Sequence, residues 1–172
     1  MNLIFVDFVP ATIAVIVDIV SGQVDPKGRA VLVTGCDTGF GHQLARYLHN
    51  LGFHVFAGCL VVDGPGWRHL DQLGKESGRL DLVALDITSD ESLERARRFV
   101  VDRLPAGGLW ALVNNAGLGG HGYIEWTSMT TYKKVPVGKL KETKFEKKLD
   151  KGEKQNKGKR NIINNSLLSS HH

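Results

Sequence analysis

The sequence predicts an α/β chain: the N-terminal half of a doubly wound parallel sheet with helices on both faces, followed by a basic C-terminal tail of low order. Four short apolar runs, at residues 30–33, 53–58, 80–86 and 109–113, alternate with stretches of helical periodicity. These runs are continuously apolar rather than alternating, as expected of strands covered on both faces. The connections between them carry helical faces, so successive strands are joined by crossovers and lie parallel.

Each element has its own local reason. Residues 30–33 read as the first strand. In residues 40–51, Leu44, Ala45, Leu48 and Leu51 share one helical face, and Gly52 supplies the left-handed residue that stops the helix. Residues 53–58 give a second strand, 64–66 a Gly-Pro-Gly loop and 67–73 a short helix. After the third strand, Thr88 and Glu91 have the spacing of a capping box. The helix they open places Leu93, Ala96, Val100 and Leu104 on one face, and residues 109–113 form the fourth strand.

The flanks differ in character. Residues 1–28 form a hydrophobic segment and link. Residues 3–20 would make a helix of about 27 Å at ~1.5 Å per residue, close to a hydrocarbon core of about 30 Å. Asp7, Pro10 and Asp18 oppose a membrane span, and no Lys or Arg precedes the run as in a typical targeting signal. A membrane anchor, a packed accessory segment and an extension of low order therefore all remain open.

At the other end, residues 139–160 hold ten Lys/Arg against four Asp/Glu, which exceeds the net +4 of the whole chain. Residues 136–172 read as a solvated basic tail that cannot bury enough apolar surface to offset its ordering entropy. It has no aromatic interleaving or zinc spacing, so no specific nucleic-acid partner is expected. The two cysteines, Cys36 and Cys59, fall within predicted core elements, which points to an intracellular, reducing setting. No His/Cys cluster has metal-ligand spacing.

Thr34-Gly35-Cys36-Asp37-Thr38-Gly39-Phe40-Gly41 lies between the first strand and the first helix. A glycine-rich turn at that place brings main-chain amides to a pyrophosphate. Gly35 permits the tight turn, Gly39 the approach of phosphate, and Gly41 the close packing of helix on strand. Thr38, Phe40 and Gly41 would present amides at the positive end of the helix. A second segment, Asn114-Asn115-Ala116-Gly117, ends the fourth strand.

The two segments together resemble the short-chain dehydrogenase/reductase family over about residues 29–135. Val31 to Asp37 and Gly108 to Gly117 look like its retinol, hydroxysteroid and D-β-hydroxybutyrate dehydrogenase branch. Val55-Phe56-Ala57-Gly58-Cys59-Leu60, the 125–129 segment and the 132–135 segment are most similar to the hydroxybutyrate members, while Gly64-Pro65-Gly66 is similar to hydroxysteroid members.

The resemblance implies a Rossmann-type site for NAD. The residue ending the second strand selects the cofactor in this family; here it is Cys59, with no Lys or Arg among residues 59–63, and Asp37 would repel the additional phosphate of NADP. Asp86 matches the family aspartate that meets the adenine amino group, or serves as a strand-end acceptor for amides. Asn115, Ala116 and Gly117 match residues on the ribose side, and Asn114 has a bracing role.

The family removes the alcohol proton with a Tyr whose pKa is lowered by a Lys four residues later, aided by a Ser and an Asn. In this chain Tyr47 is followed at that spacing by Leu51, Tyr123 by Thr127 and Tyr132 by Pro136. No catalytic residue is therefore identified, and no fifth strand is expected.

The favoured expectation is a chain shortened or mis-spliced after about Val135, derived from an NAD-dependent alcohol oxidoreductase and inactive alone. Its full-length relatives would take a small-molecule alcohol and form homo-oligomers. This chain is expected to be intracellular, with residues 3–20 a candidate for mitochondrial or endoplasmic-reticulum membrane contact. A catalytically silent nucleotide-binding or interaction protein and a basic-tailed adaptor are the alternatives. A sheet stopped at its fourth strand would leave an open edge and low solubility.

Overall fold

The computed structural model describes residues 25–116 and 161–164 of the 172. The expectations for residues 3–20, for Gly117 and for most of the tail lie outside them. The elements run β1 (Ala30–Thr34), α1 (Gly39–Asn50), β2 (His54–Cys59), α2 (Pro65–Ser77), β3 (Leu80–Ala84), α3 (Asp90–Asp102), β4 (Leu109–Asn114) and β5 (Asn161–Asn164). All neighbouring strands are parallel, in the order β3-β2-β1-β4-β5.

The period of two along each strand sorts its side chains into two cores. Val31, Val33, Val55, Ala57 and Cys59 face one layer with Ala45 and Leu48 of α1 and Leu70 of α2. Ala30, Leu32, Phe56 and Val83 face the other, with Leu93, Ala96 and Val100 of α3. Strands β1 to β4 are therefore covered on both faces, which explains why they read as largely apolar runs, interrupted only by His54 and Asp81 before their terminal polar residues. A register shift between Ala30 and Val31 against β4 places Trp110 and Ala111 together in the α1/α2 layer. There Trp110 stacks on Phe53 with ring centroids 5.2 Å apart.

Helix ends follow local chemistry, with two departures from the sequence reading. The first is α2, which is longer than expected: Pro65 starts it, because a missing N–H costs nothing in the first turn, and Gly78 ends it at φ 65°. The second is the start of α3, which is not capped by Thr88 and Glu91. Ser89 is the cap, its Oγ accepting from the Ser92 N–H at 3.2 Å. Thr88 is drawn away, because both its N–H and its hydroxyl donate to Asp86 Oδ1, at 2.8 and 2.7 Å.

The fifth strand corrects another expectation. Asn161–Asn164, within the segment read as a tail of low order, pairs in parallel with β4 from Ala111↔Asn161 to Asn114↔Asn164. The β4 edge is covered rather than open. A four-residue strand that directly follows a lysine-rich stretch escapes a reading based on apolar periodicity. Among the described residues no helix is long and apolar enough to cross a membrane.

Candidate functional site

The strand order reverses between β1 and β4: α1 and α2 return on one face, and α3 on the other. In an open α/β sheet, ligands bind in the crevice beyond the strand ends at this reversal. The two motifs singled out in the sequence meet there.

Thr34 and Asn115 form the junction. Thr34 Oγ1 accepts from the Asn115 N–H at 3.0 Å and from the Ala116 N–H at 2.9 Å. Asn115 Nδ2 donates back to the carbonyls of Thr34 and Gly35, at 3.0 and 3.1 Å. The Nδ2 group of Asn115 thus ties β4 to the turn after β1. Thr34 was not among the expected site residues, although a threonine just before the first glycine was a usable signal.

The glycines play three different parts. A Cβ on Gly35 would lie 2.8 Å from Ala116 Cα, and its φ of 70° is left-handed. A Cβ on Gly41 would overlap the Gly35 carbonyl oxygen and Asn115 Nδ2, so α1 can approach the junction only with glycine there. Gly39 has φ 62° and nothing within 4 Å of its Cβ position. The space over the turn is open where Gly35 and Gly41 are packed.

Thr38 is the N-cap of α1 without a side-chain capping bond, and no acidic residue occupies the first turn. Thr38, Gly39 and Phe40 are all exposed. An open turn at the positive end of a helix, lined by main chain, suits the pyrophosphate of a dinucleotide. The residues present fit such a group.

Asp37 turns away from the helix end. Its carboxylate accepts from the Leu60 N–H at 3.0 Å and the Val61 N–H at 2.7 Å, pinning the loop that follows β2. Gly66, in the first turn of α2, backs onto the Asp37 carbonyl with no room for a side chain.

Cys59 ends β2 fully buried. Burial, and then the nearby Asp37 charge, push its thiol up to about 12. Cys36 is likewise raised well above the usual thiol range, chiefly by burial. Both sulfurs are protonated at neutral pH, and Cys59 presents no side-chain group to the crevice. Asp86 sits just beyond β3, its Oδ1 holding Thr88. Asn114 is buried within β4.

Behind the turn, the buried His42 meets the exposed His69. His42 Nδ1 is 3.1 Å from the Cys36 carbonyl, and His42 Nε2 is 3.1 Å from His69 Nδ1, linking α1 to α2. The carbonyl can only accept, so His42 donates from Nδ1 when neutral. Among the described residues no group of three His, Cys, Asp or Glu side chains could hold a metal ion.

The chain belongs to the short chain dehydrogenase family, whose model matches residues 29–147. It is 51% identical over 113 residues to the mitochondrial D-beta-hydroxybutyrate dehydrogenase of Rattus norvegicus, covering 63% of this chain and 32% of that protein. Against 17-beta-hydroxysteroid dehydrogenase type 6 of Bos taurus the identity is 47% over 109 residues, covering 62% and 33%. The chain thus spans about a third of these relatives' length. An NADPH-bound carbonyl reductase from chicken fatty liver superposes with TM-score 0.63 at 27% identity, covering 77% of this chain and 52% of that one.

Proposed function

We propose that residues 29–135 are the nucleotide-binding half of an NAD-dependent alcohol oxidoreductase of the hydroxybutyrate, hydroxysteroid and retinol branch. We further propose that the 172-residue chain binds the dinucleotide without oxidising an alcohol. The observation that carries the first part is the junction of Thr34, Asn115 and Gly41. It holds an open glycine turn at the sheet's reversal point, with the space above Gly39 clear.

In this reading Gly35, Thr38, Gly39, Phe40 and Gly41 offer main chain to the pyrophosphate. Asp86 meets the adenine through the oxygen not engaged by Thr88, and Asn115, Ala116 and Gly117 line the ribose side. Asp37 and the loop after Cys59 face the adenosine ribose. A bound nicotinamide would supply the hydride acceptor. Preference for NAD is supported by the Asp37 carboxylate and by the lack of Lys or Arg in residues 59–63. Intracellular membrane contact through residues 3–20, mitochondrial or at the endoplasmic reticulum, belongs to the same proposal, as does homo-oligomerisation of longer relatives.

The second part rests on the sequence. Hydride transfer from an alcohol requires an acceptor for the hydroxyl proton, and no Tyr in this chain has a Lys four residues later. Titration with NAD, followed by calorimetry and by emission of Trp67, Trp110 and Trp126, tests binding. A saturable response is expected, and its absence in both measurements refutes the site. Incubation with NAD and 3-hydroxybutyrate, a steroid alcohol or retinol should yield no NADH; alcohol-dependent NADH formation by the purified chain refutes the second part.

A further inference from the structure

Two successive main-chain N–H groups aimed at one point make a small anion-binding concavity. Leu60 and Val61, the first two residues after β2, form such a pair. Its anion comes from the chain itself, because the two N–H groups donate to the two oxygens of Asp37. In a doubly wound nucleotide site, the end of the second strand is where the 2′ substituent of the adenosine ribose is read. The ordinary reader at that position, an acidic side chain, is here a buried cysteine.

We propose that Asp37 is an internal anion seated on the donors that a 2′-phosphate would need, and is therefore the residue that selects NAD over NADP; this rests on the dinucleotide reading above. Filled donors and like charge act together. A phosphate would have to displace a carboxylate from both amides and sit beside it, with no Lys or Arg in residues 59–63 to compensate. A 2′-hydroxyl meets the opposite situation. A carboxylate offers about four acceptor positions, and the two amides use one on each oxygen, so acceptors remain for a hydroxyl donor.

The geometry is held from behind. The Asp37 main chain is clamped by the first turn of α2, where Gly66 leaves no gap. Cys36, the preceding residue, donates its N–H to the Gly58 carbonyl at 2.8 Å. The carboxylate cannot swing away with its own backbone. Its charge is felt locally, since it is the second cause, after burial, of the raised Cys59 thiol.

The test uses the full chain and two pairs of probes that differ only by the 2′-phosphate: NAD with NADP, and 5′-AMP with adenosine 2′,5′-bisphosphate. Dissociation constants are read by calorimetry. In the unaltered protein the member lacking the 2′-phosphate should bind about tenfold tighter or more in each pair. Asp37→Ser, which leaves both amides without their anion, should move both ratios about tenfold or more toward the 2′-phosphorylated member. Asp37→Asn removes the charge but keeps the shape, and should move them in the same direction by less.

If Asp37 only braced the loop, its variants would weaken both members alike; unchanged ratios in the two variants overturn the assignment. The asparagine variant also decides the matter if the serine variant loosens the loop too far to bind. An unaltered chain that binds none of the four probes overturns the dinucleotide reading itself, and this inference with it.

Discussion

Glycines with different surroundings make the sharpest test at the scale of single residues. Gly41→Ala forces a methyl into the Gly35 carbonyl and Asn115 Nδ2, an overpacking that costs about 1–3 kcal/mol. Gly39→Ala meets no atom, and only its left-handed backbone opposes it, at about 1–2 kcal/mol. Denaturant melts should show both losses. Nucleotide affinity should fall further in Gly41→Ala, because that clash separates α1 from the junction. The glycine spacing made these roles legible in the sequence. What it could not reveal was where Asp37 points, since its partners, Leu60 and Val61, lie more than twenty residues away.

The two thiols carry a pH prediction at the same scale. Both have folded pKa values raised above the usual thiol value of 9.0, Cys59 to about 12. The unfolded chain therefore loses these protons first as pH rises. Their contribution is complete below about pH 9 and declines above it, Cys59's part being lost by about pH 12. The slope is about 1.4 kcal/mol per pH unit for each thiol. Cys59→Ala should flatten the alkaline limb of stability against pH by about one proton. An unchanged slope would refute the assignment. In the native protein, a thiol reagent at pH 8 should react only as fast as the chain opens.

Capping decides the prediction for individual elements. Ser89→Ala removes the acceptor for the Ser92 N–H and should cost about 1 kcal/mol. Helix α3 should shift least on Glu91→Ala, whose carboxylate is exposed and pairs with Arg95 on the same helix. Equal losses in the two variants would favour the Thr88–Glu91 box suggested by spacing alone. The sequence placed the start of α3 within one residue and failed on the cap. Five hydroxyl-bearing or acidic residues, Thr88 to Ser92, stand in a row there, and the competing Asp86–Thr88 turn is a matter of geometry. Strands β1 and β4 were legible because every residue is buried and only the terminal Thr34 and Asn114 are polar, which leaves an apolar run. Strands β2 and β3 carry the paired His54 and Asp81 within otherwise apolar stretches.

At the scale of the whole molecule, β5 is the feature that composition concealed. Its backbone ladder on β4 replaces the exposed edge expected from four strands. Replacing both Ile162 and Ile163 with proline guarantees loss of at least one ladder donor wherever each N–H points. The double variant should melt lower and aggregate more readily than the parent in light scattering. Identical behaviour would show that β5 adds nothing to the sheet's stability.

The junction at the end of β1 also has a kinetic consequence. Thr34 Oγ1 gathers amides from residues 81 and 82 positions further along, so the turn acquires its final shape only when β4 has docked beside β1. Closing so long a loop is costly and slow compared with forming either flanking helix. The nucleotide pocket is then a late product of folding. A ligand that recognises it should slow unfolding while leaving the folding rate nearly unchanged, and bound nucleotide would report that the two halves of this sheet have met.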